Sequence, residues 1–82
     1  MKNIKEIVLK CHNELMEERG LKKDSDISLT MTRENGIDSL GIVTLILELE
    51  EELDIELDSY IAEIRNSKTL SELIDIIRKV IS

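Results

Sequence analysis

ENGIDSLGIVTLILELEEELDIEL, residues 34–57, is the stretch whose reading decides the fold. At about 100° per residue, Ile42, Leu45, Ile46, Leu49 and Leu53 fall on one stripe, the pattern of a helix with one side in a core. Leu40, Val43 and Leu47 fall on a second stripe rotated well away from the first, and its line continues into Glu51 and Asp54 with Glu50 beside it. A row that begins apolar and ends acidic suits a docking face, because exposed apolar rows rimmed by charge mark partner sites. The alternative is a broad apolar arc buried against two neighbours. Asp38 or Ser39 can cap this helix, and the DIELD segment after Leu53 region breaks its period, so a helix is predicted to run to Leu53.

Working outward, Asn3 followed three residues later by Glu6 reads as a capping box, after which Ile4, Ile7, Val8, Cys11 and Leu15 recur at helical spacing. The first helix is expected over residues 4–19, with Gly20 as its stop. Residues 21–37 lose the helical period. Ile27, Leu29 and Met31 alternate with polar residues as a strand would, but a single strand has nothing to pair with. The segment reads instead as a long ordered connection whose apolar residues lie along the helices, and its length hints at function. A short helical turn is expected over residues 59–64. Thr69 and Glu72 form another capping box, and Leu70, Leu73, Ile74, Ile77 and Ile81 make one stripe of a last helix. The expected fold is all-α: a four-helix bundle with a long loop between helices one and two, a short third helix, and a single domain over residues 1–82.

With 82 residues the chain has no room for a deep pocket that closes over a substrate, which argues against a self-sufficient enzyme. It contains no Pro, Trp or Phe and one Tyr, so its core must be aliphatic. Stacking platforms for single-stranded nucleic acid are missing, and a net charge of −7 repels phosphate backbones, so nucleic acid is excluded as a partner. Lone Cys11 reads as a packed thiol, and no Cys and His cluster is present to ligate zinc. Asp24 and Asp26 open a segment like a calcium loop, but its sixth position is Leu29 and its twelfth Asn35, so no metal site is expected. Charges interrupt MKNIKEIVLK too often for a signal peptide or membrane span, which makes the cytoplasm the expected location.

Charge is unevenly spread. Between Glu34 and Glu63 there are ten acids and no Lys, Arg or His; taking that −10 from the total of −7 leaves the rest of the chain at +3. The plain reading is a solvated acidic face. The sharper one is a landing strip for basic partners.

Ser39 lies at a loop-to-helix junction, where its hydroxyl can project from the first turn and the local amides favour an anion. From local physics it is either a capping serine or the site of a phosphate ester. It is not a hydrolase nucleophile: GIDSLG places its first glycine three residues before the serine rather than two, and the sole histidine, His12, sits in helix one without an orienting partner. His12 is expected to be a surface or half-buried helix residue, and no catalytic residue is assigned.

The DSL core, the Gly-Ile before it, the Leu/Ile/Val spacing, the LEEELDIE run and the helix after Thr69 together resemble the acyl carrier proteins, a phosphopantetheine-dependent carrier family, over nearly the whole chain. The resemblance implies a four-helix bundle of the acyl carrier type, non-catalytic and monomeric, with 4′-phosphopantetheine on Ser39, Asp38 positioning the transferase, and Leu40 contacting it. Val43, Leu47, Glu50 and Glu51 match docking positions, with Asp54 closing the row. The implied partners are a phosphopantetheinyl transferase, an acyl- or aminoacyl-loading ligase, and fatty acid or polyketide synthase enzymes with basic surfaces. Three positions depart from the fatty acid carriers: Asn35 stands where they have Leu, and Gly41 and Thr44 where they have acids. Gly41 resembles carriers of D-alanine or other amino acids, so an aminoacyl or peptidyl carrier stays open, as does an unmodified acidic adaptor. Replacing Gly41 is expected to firm up the first turn of its helix.

Overall fold

The computed structural model describes residues 3–82. Four helices account for its regular structure: α1 (Ile4–Glu18), α2 (Ser39–Leu53), α3 (Ile61–Arg65) and α4 (Leu70–Ile81), with short 3-10 turns at Arg33–Asn35 and Asp58–Tyr60. The architecture is the expected all-α bundle. Asn3 Oδ1 accepts from the Glu6 amide at 3.1 Å and Thr69 Oγ1 from the Glu72 amide at 3.4 Å, so each capping motif satisfies a donor that the helix cannot. Helix α1 closes on Arg19, and Gly20 takes the left-handed conformation at φ 75° that follows. Helix α2 ends on Asp54, the one non-glycine with positive φ (53°) among the described residues.

The core is aliphatic throughout. Val8, Cys11 and Leu15 of α1 meet Leu45, Leu49 and Leu53 of α2 and Leu73, Ile74 and Ile77 of α4, with Leu57, Ile64 and Leu70 completing it. Helix α1 packs on both α2 and α4, and α3 rests on α4. Truncating a fully buried leucine such as Leu49 to Ala costs about 2–5 kcal/mol in cores of this kind. Cys11 is the packed thiol expected; burial, followed by the charges of Glu48, Glu52 and Glu14, pushes its pKa up to about 11. Ile81, expected on the buried stripe of α4, is exposed at the helix end.

The alternating segment does have a partner: Thr30 forms an antiparallel bridge with Thr69, and the Leu70 and Ser71 amides donate to Leu29 O at 3.0 Å and Ile27 O at 2.9 Å. First-turn amides of a helix have no carbonyl of their own, and the extended loop supplies them. Leu29 and Met31 thereby turn onto the core.

His12 is fully buried rather than at or near the surface. Its Nε2 lies 2.8 Å from Asn35 O and its Nδ1 2.6 Å from Ser25 Oγ. A carbonyl can only accept, so the neutral ring carries its proton on Nε2 and accepts the Ser25 hydroxyl at Nδ1. The next residue, Asn13, accepts from the Ser25 amide at 2.6 Å, and buried Asn35 donates back to Thr30 O at 2.9 Å. These bonds fasten both halves of the long connection to α1. No buried side-chain polar atom lacks a partner among the described residues.

Burial lowers the His12 pKa from about 6.5, helped by Lys23 and opposed by the bond to Asn35. The unfolded chain therefore binds a proton that the folded one refuses, so stability is complete above pH 6.5 and is lost as pH falls from there toward the folded-state value. Thermal unfolding between pH 8 and 5.5 should show this slope in the wild type and lose it in His12→Gln. His12→Ala should cost about 2–4 kcal/mol, combining two lost buried bonds with a cavity.

Candidate functional site at the start of helix α2

Asp38 is the N-cap of α2, and its Oδ1 accepts from the Gly41 amide at 2.7 Å. The same carboxylate receives a two-pronged guanidinium: Arg19 Nη1 donates to Oδ2 at 2.7 Å and Nη2 to Oδ1 at 2.8 Å. The Arg19 fork first, and the Gly41 amide second, hold the Asp38 carboxyl well below the usual carboxylate range. The end of α1 is thereby clamped to the start of α2. Ser39 is the first residue of α2 and is exposed on the wall of a hollow of about 360 Å³, together with Arg33, Ile37, Ile42 and Arg65.

Gly41 overturns the expectation that its replacement would firm the helix. A Cβ built there would lie 1.9 Å from the carbonyl oxygen of Gly36, a backbone atom that cannot swing aside. Gly36 itself sits at φ 83°, a left-handed turn that brings its carbonyl over α2. The glycine is thus explained by a close backbone approach. Thr44 returns its hydroxyl to Leu40 O at 3.0 Å.

The second stripe of α2 is exposed: Leu40 by 69%, Val43 by 44% and Leu47 by 58%, while Ile42, Leu45, Ile46, Leu49 and Leu53 are buried. Glu51 and Asp54 continue the row in solvent. Glu50 differs from its expected solvent-facing role; it is half-buried, and its Oε2 accepts from the Leu57 amide at 2.8 Å, bracing the turn after α2. A groove of about 150 Å³ runs between α2 and α3, lined by Ile42, Val43, Ile46, Leu47 and Ile61 together with the charged side chains of Glu50, Asp58 and Arg65.

The acidic run is partly answered from outside it. Lys10 pairs with Glu52 at 3.3 Å and Lys79 with Glu63 at 2.7 Å, besides the Arg19 clamp on Asp38. Glu48 is pushed up by burial, then by Glu14, Glu18, Glu52 and Glu51. Among the described residues, no three of these acids, cysteines or histidines are arranged to hold a metal ion. Both ring nitrogens of His12 are committed to Ser25 and Asn35, leaving no histidine base for Ser39.

A family model described as the phosphopantetheine attachment site matches residues 15–77. The chain belongs to this family. No curated protein and no solved structure matches it. The matched segment runs from within α1 to within α4, taking in the whole junction described above. Membership makes the chain a carrier of covalent 4′-phosphopantetheine that works with modifying and synthase enzymes, and sets aside the unmodified adaptor. An exposed hydroxyl beside a hollow with two guanidiniums fits such a group. No helix among the described residues is long and apolar enough to cross a membrane.

Gly41→Ala should destabilise the fold by about 1–3 kcal/mol through the clash with Gly36. Helix propensity alone would instead give a gain of up to about 1 kcal/mol. Urea unfolding decides between them, and a raised midpoint would show that the Gly36 carbonyl moves away at little cost.

Proposed function

We propose that this chain is an acyl carrier domain whose Ser39 bears the phosphopantetheine arm. The observation that carries the reading is the placement of an exposed serine hydroxyl at the first position of α2, within the matched family segment and at the head of the exposed Leu40, Val43 and Leu47 row. When bound, the arm supplies a terminal thiol that holds cargo as a thioester. The chain's own residues orient it. Asp38 and Arg19 fix the start of α2 and so the direction in which the Ser39 hydroxyl points. Leu40 offers the transferase and later partners an apolar contact beside that hydroxyl, and Val43 and Leu47 extend it along the helix. Glu51 and Asp54 supply the charge that steers basic partners, since exposed rim charges act chiefly on association rate. Glu50 contributes its remaining charge while bracing Leu57.

The acyl reading draws its support from the five aliphatic side chains that line the groove between α2 and α3 and suit a hydrocarbon chain, while the Glu50 and Asp58 carboxylates on the same groove keep an ammonium-bearing cargo open. The glycine that resembled the aminoacyl carriers is accounted for by packing against Gly36, so it does not speak for amino acid cargo. On this reading the partners are a phosphopantetheinyl transferase, an acyl-loading ligase and synthase enzymes of fatty acid, polyketide or related synthesis.

Incubation with a phosphopantetheinyl transferase and coenzyme A should add one arm by intact mass, and Ser39→Ala should abolish it; an arm that survives the substitution sinks the assignment. Loading the holo form with acyl and aminoacyl ligases in parallel then separates the two cargo classes. Glu51→Lys should slow association with a basic synthase partner several-fold at low salt and much less at high salt, while leaving the melting temperature within about 2 °C of wild type. An unchanged association rate would transfer partner choice to the apolar row.

A further inference from the structure

Arg33 and Arg65 are the first bases on either side of the thirty-residue acidic run, and the fold brings both to the wall of the hollow that contains Ser39. Arg33 opens the 3-10 turn Arg33–Asn35, which is held by the Gly36 amide on Arg33 O at 2.9 Å and the Ile37 amide on Thr32 O at 3.0 Å. Arg65 ends α3. Neither guanidinium forms an ion pair among the described residues. The one carboxylate on the same wall, Asp38, already has both oxygens engaged by Arg19 and the Gly41 amide. In a chain of net charge −7, the hollow beside Ser39 is therefore walled by two guanidiniums that no ion pair holds, although Arg65 also shares the neighbouring groove with Glu50 and Asp58.

We propose that Arg33 and Arg65 grip the phosphodiester that joins the arm to Ser39. The inference rests on the assignment of the arm to Ser39 and goes beyond it, by naming what holds the arm's base. The phosphodiester is one bond from the serine oxygen and carries one negative charge on two non-bridging oxygens. Guanidinium forks match such oxygens and are more weakly hydrated than ammonium groups, so they suit a partly enclosed anion. The first turn of α2 adds amide dipoles of the same sign. With its base held, the arm leaves Ser39 in a restricted set of directions, and Arg65, which also edges the groove between α2 and α3, lies where those directions begin.

The test compares holo forms of the wild type, Arg33→Gln, Arg65→Gln and the double variant, each first shown by intact mass to carry its arm and by thermal melting to be folded. In the wild type the ³¹P resonance should be displaced from its position in the same protein unfolded in urea, and added salt should reduce that displacement. Each single variant should lose part of it and the double variant all of it. The Nε–H signals of Arg33 and Arg65 should shift between apo and holo protein. A ³¹P resonance indifferent to both substitutions, with arginine signals unmoved by the arm, overturns the proposal; so does a double variant that keeps the wild-type ³¹P position while losing affinity for an acidic partner protein. Failure of the underlying assignment reads differently, because the arm then survives Ser39→Ala in the mass measurement whatever the arginines do.

Discussion

The Asp38 carboxylate accepts both prongs of the Arg19 guanidinium and the Gly41 amide, and this one group sets the geometry of the whole junction. It starts α2, because a cap oxygen on an early amide fixes where helical geometry begins. It also fixes where α2 lies, because Arg19 is the C-cap of α1 and cannot follow if α2 shifts. A lysine in place of Arg19 would keep the charge but lose the planar two-point grip that sets direction as well as distance. Gly41 then has to pass beneath the Gly36 carbonyl, and the absent side chain at that point is a consequence of the clamp rather than of helix preference. Ser39 owes its place at the head of α2 to this junction.

Much of this arrangement was legible in the sequence where the deciding interactions are local. The two capping motifs, the core stripe of α2 and the exposure of Leu40, Val43 and Leu47 follow from spacings of three and four residues, which helical geometry converts directly into faces. The alternation of Ile27, Leu29 and Met31 was a true signal whose partner was not foreseeable from strand logic. It answers the orphan amides at the start of α4, some forty residues later. His12 reads as an ordinary polar helix residue until Ser25 and Asn35 arrive to satisfy it. Glu50 likewise reads as one acid among several, although it caps a turn seven residues on. What the sequence hid were interactions between residues distant in the chain, each of which changes the meaning of a single side chain.

The acidic run also divides once the chain is folded. Some of its members are structural: Asp38 clamps, Glu50 braces, and Glu52 and Glu63 pair with lysines of α1 and α4. Glu51 and Asp54 remain on the exposed row of α2. Around Ser39 the sign of the local charge reverses, through Arg33 and Arg65. Helix α2 is therefore flanked by arginines of neighbouring elements at its start and carries acids of its own at its end, a polarity that net charge conceals and that gives a partner an orientation as well as an attraction.

Cys11 is buried in the core that α1 shares with α2, where burial and the neighbouring acids push its pKa up to about 11. Thioesters exchange with free thiolates, so a second accessible sulfur on a carrier would drain cargo onto the wrong atom or cross-link two carriers. Packing and the acids around it keep this sulfur a hydrocarbon substitute in all but name. Once the chain is loaded with its arm, thiol-directed alkylating reagents meet a single reactive thiol, the one at the arm's tip, and the protein behaves toward them as though it had been built without cysteine.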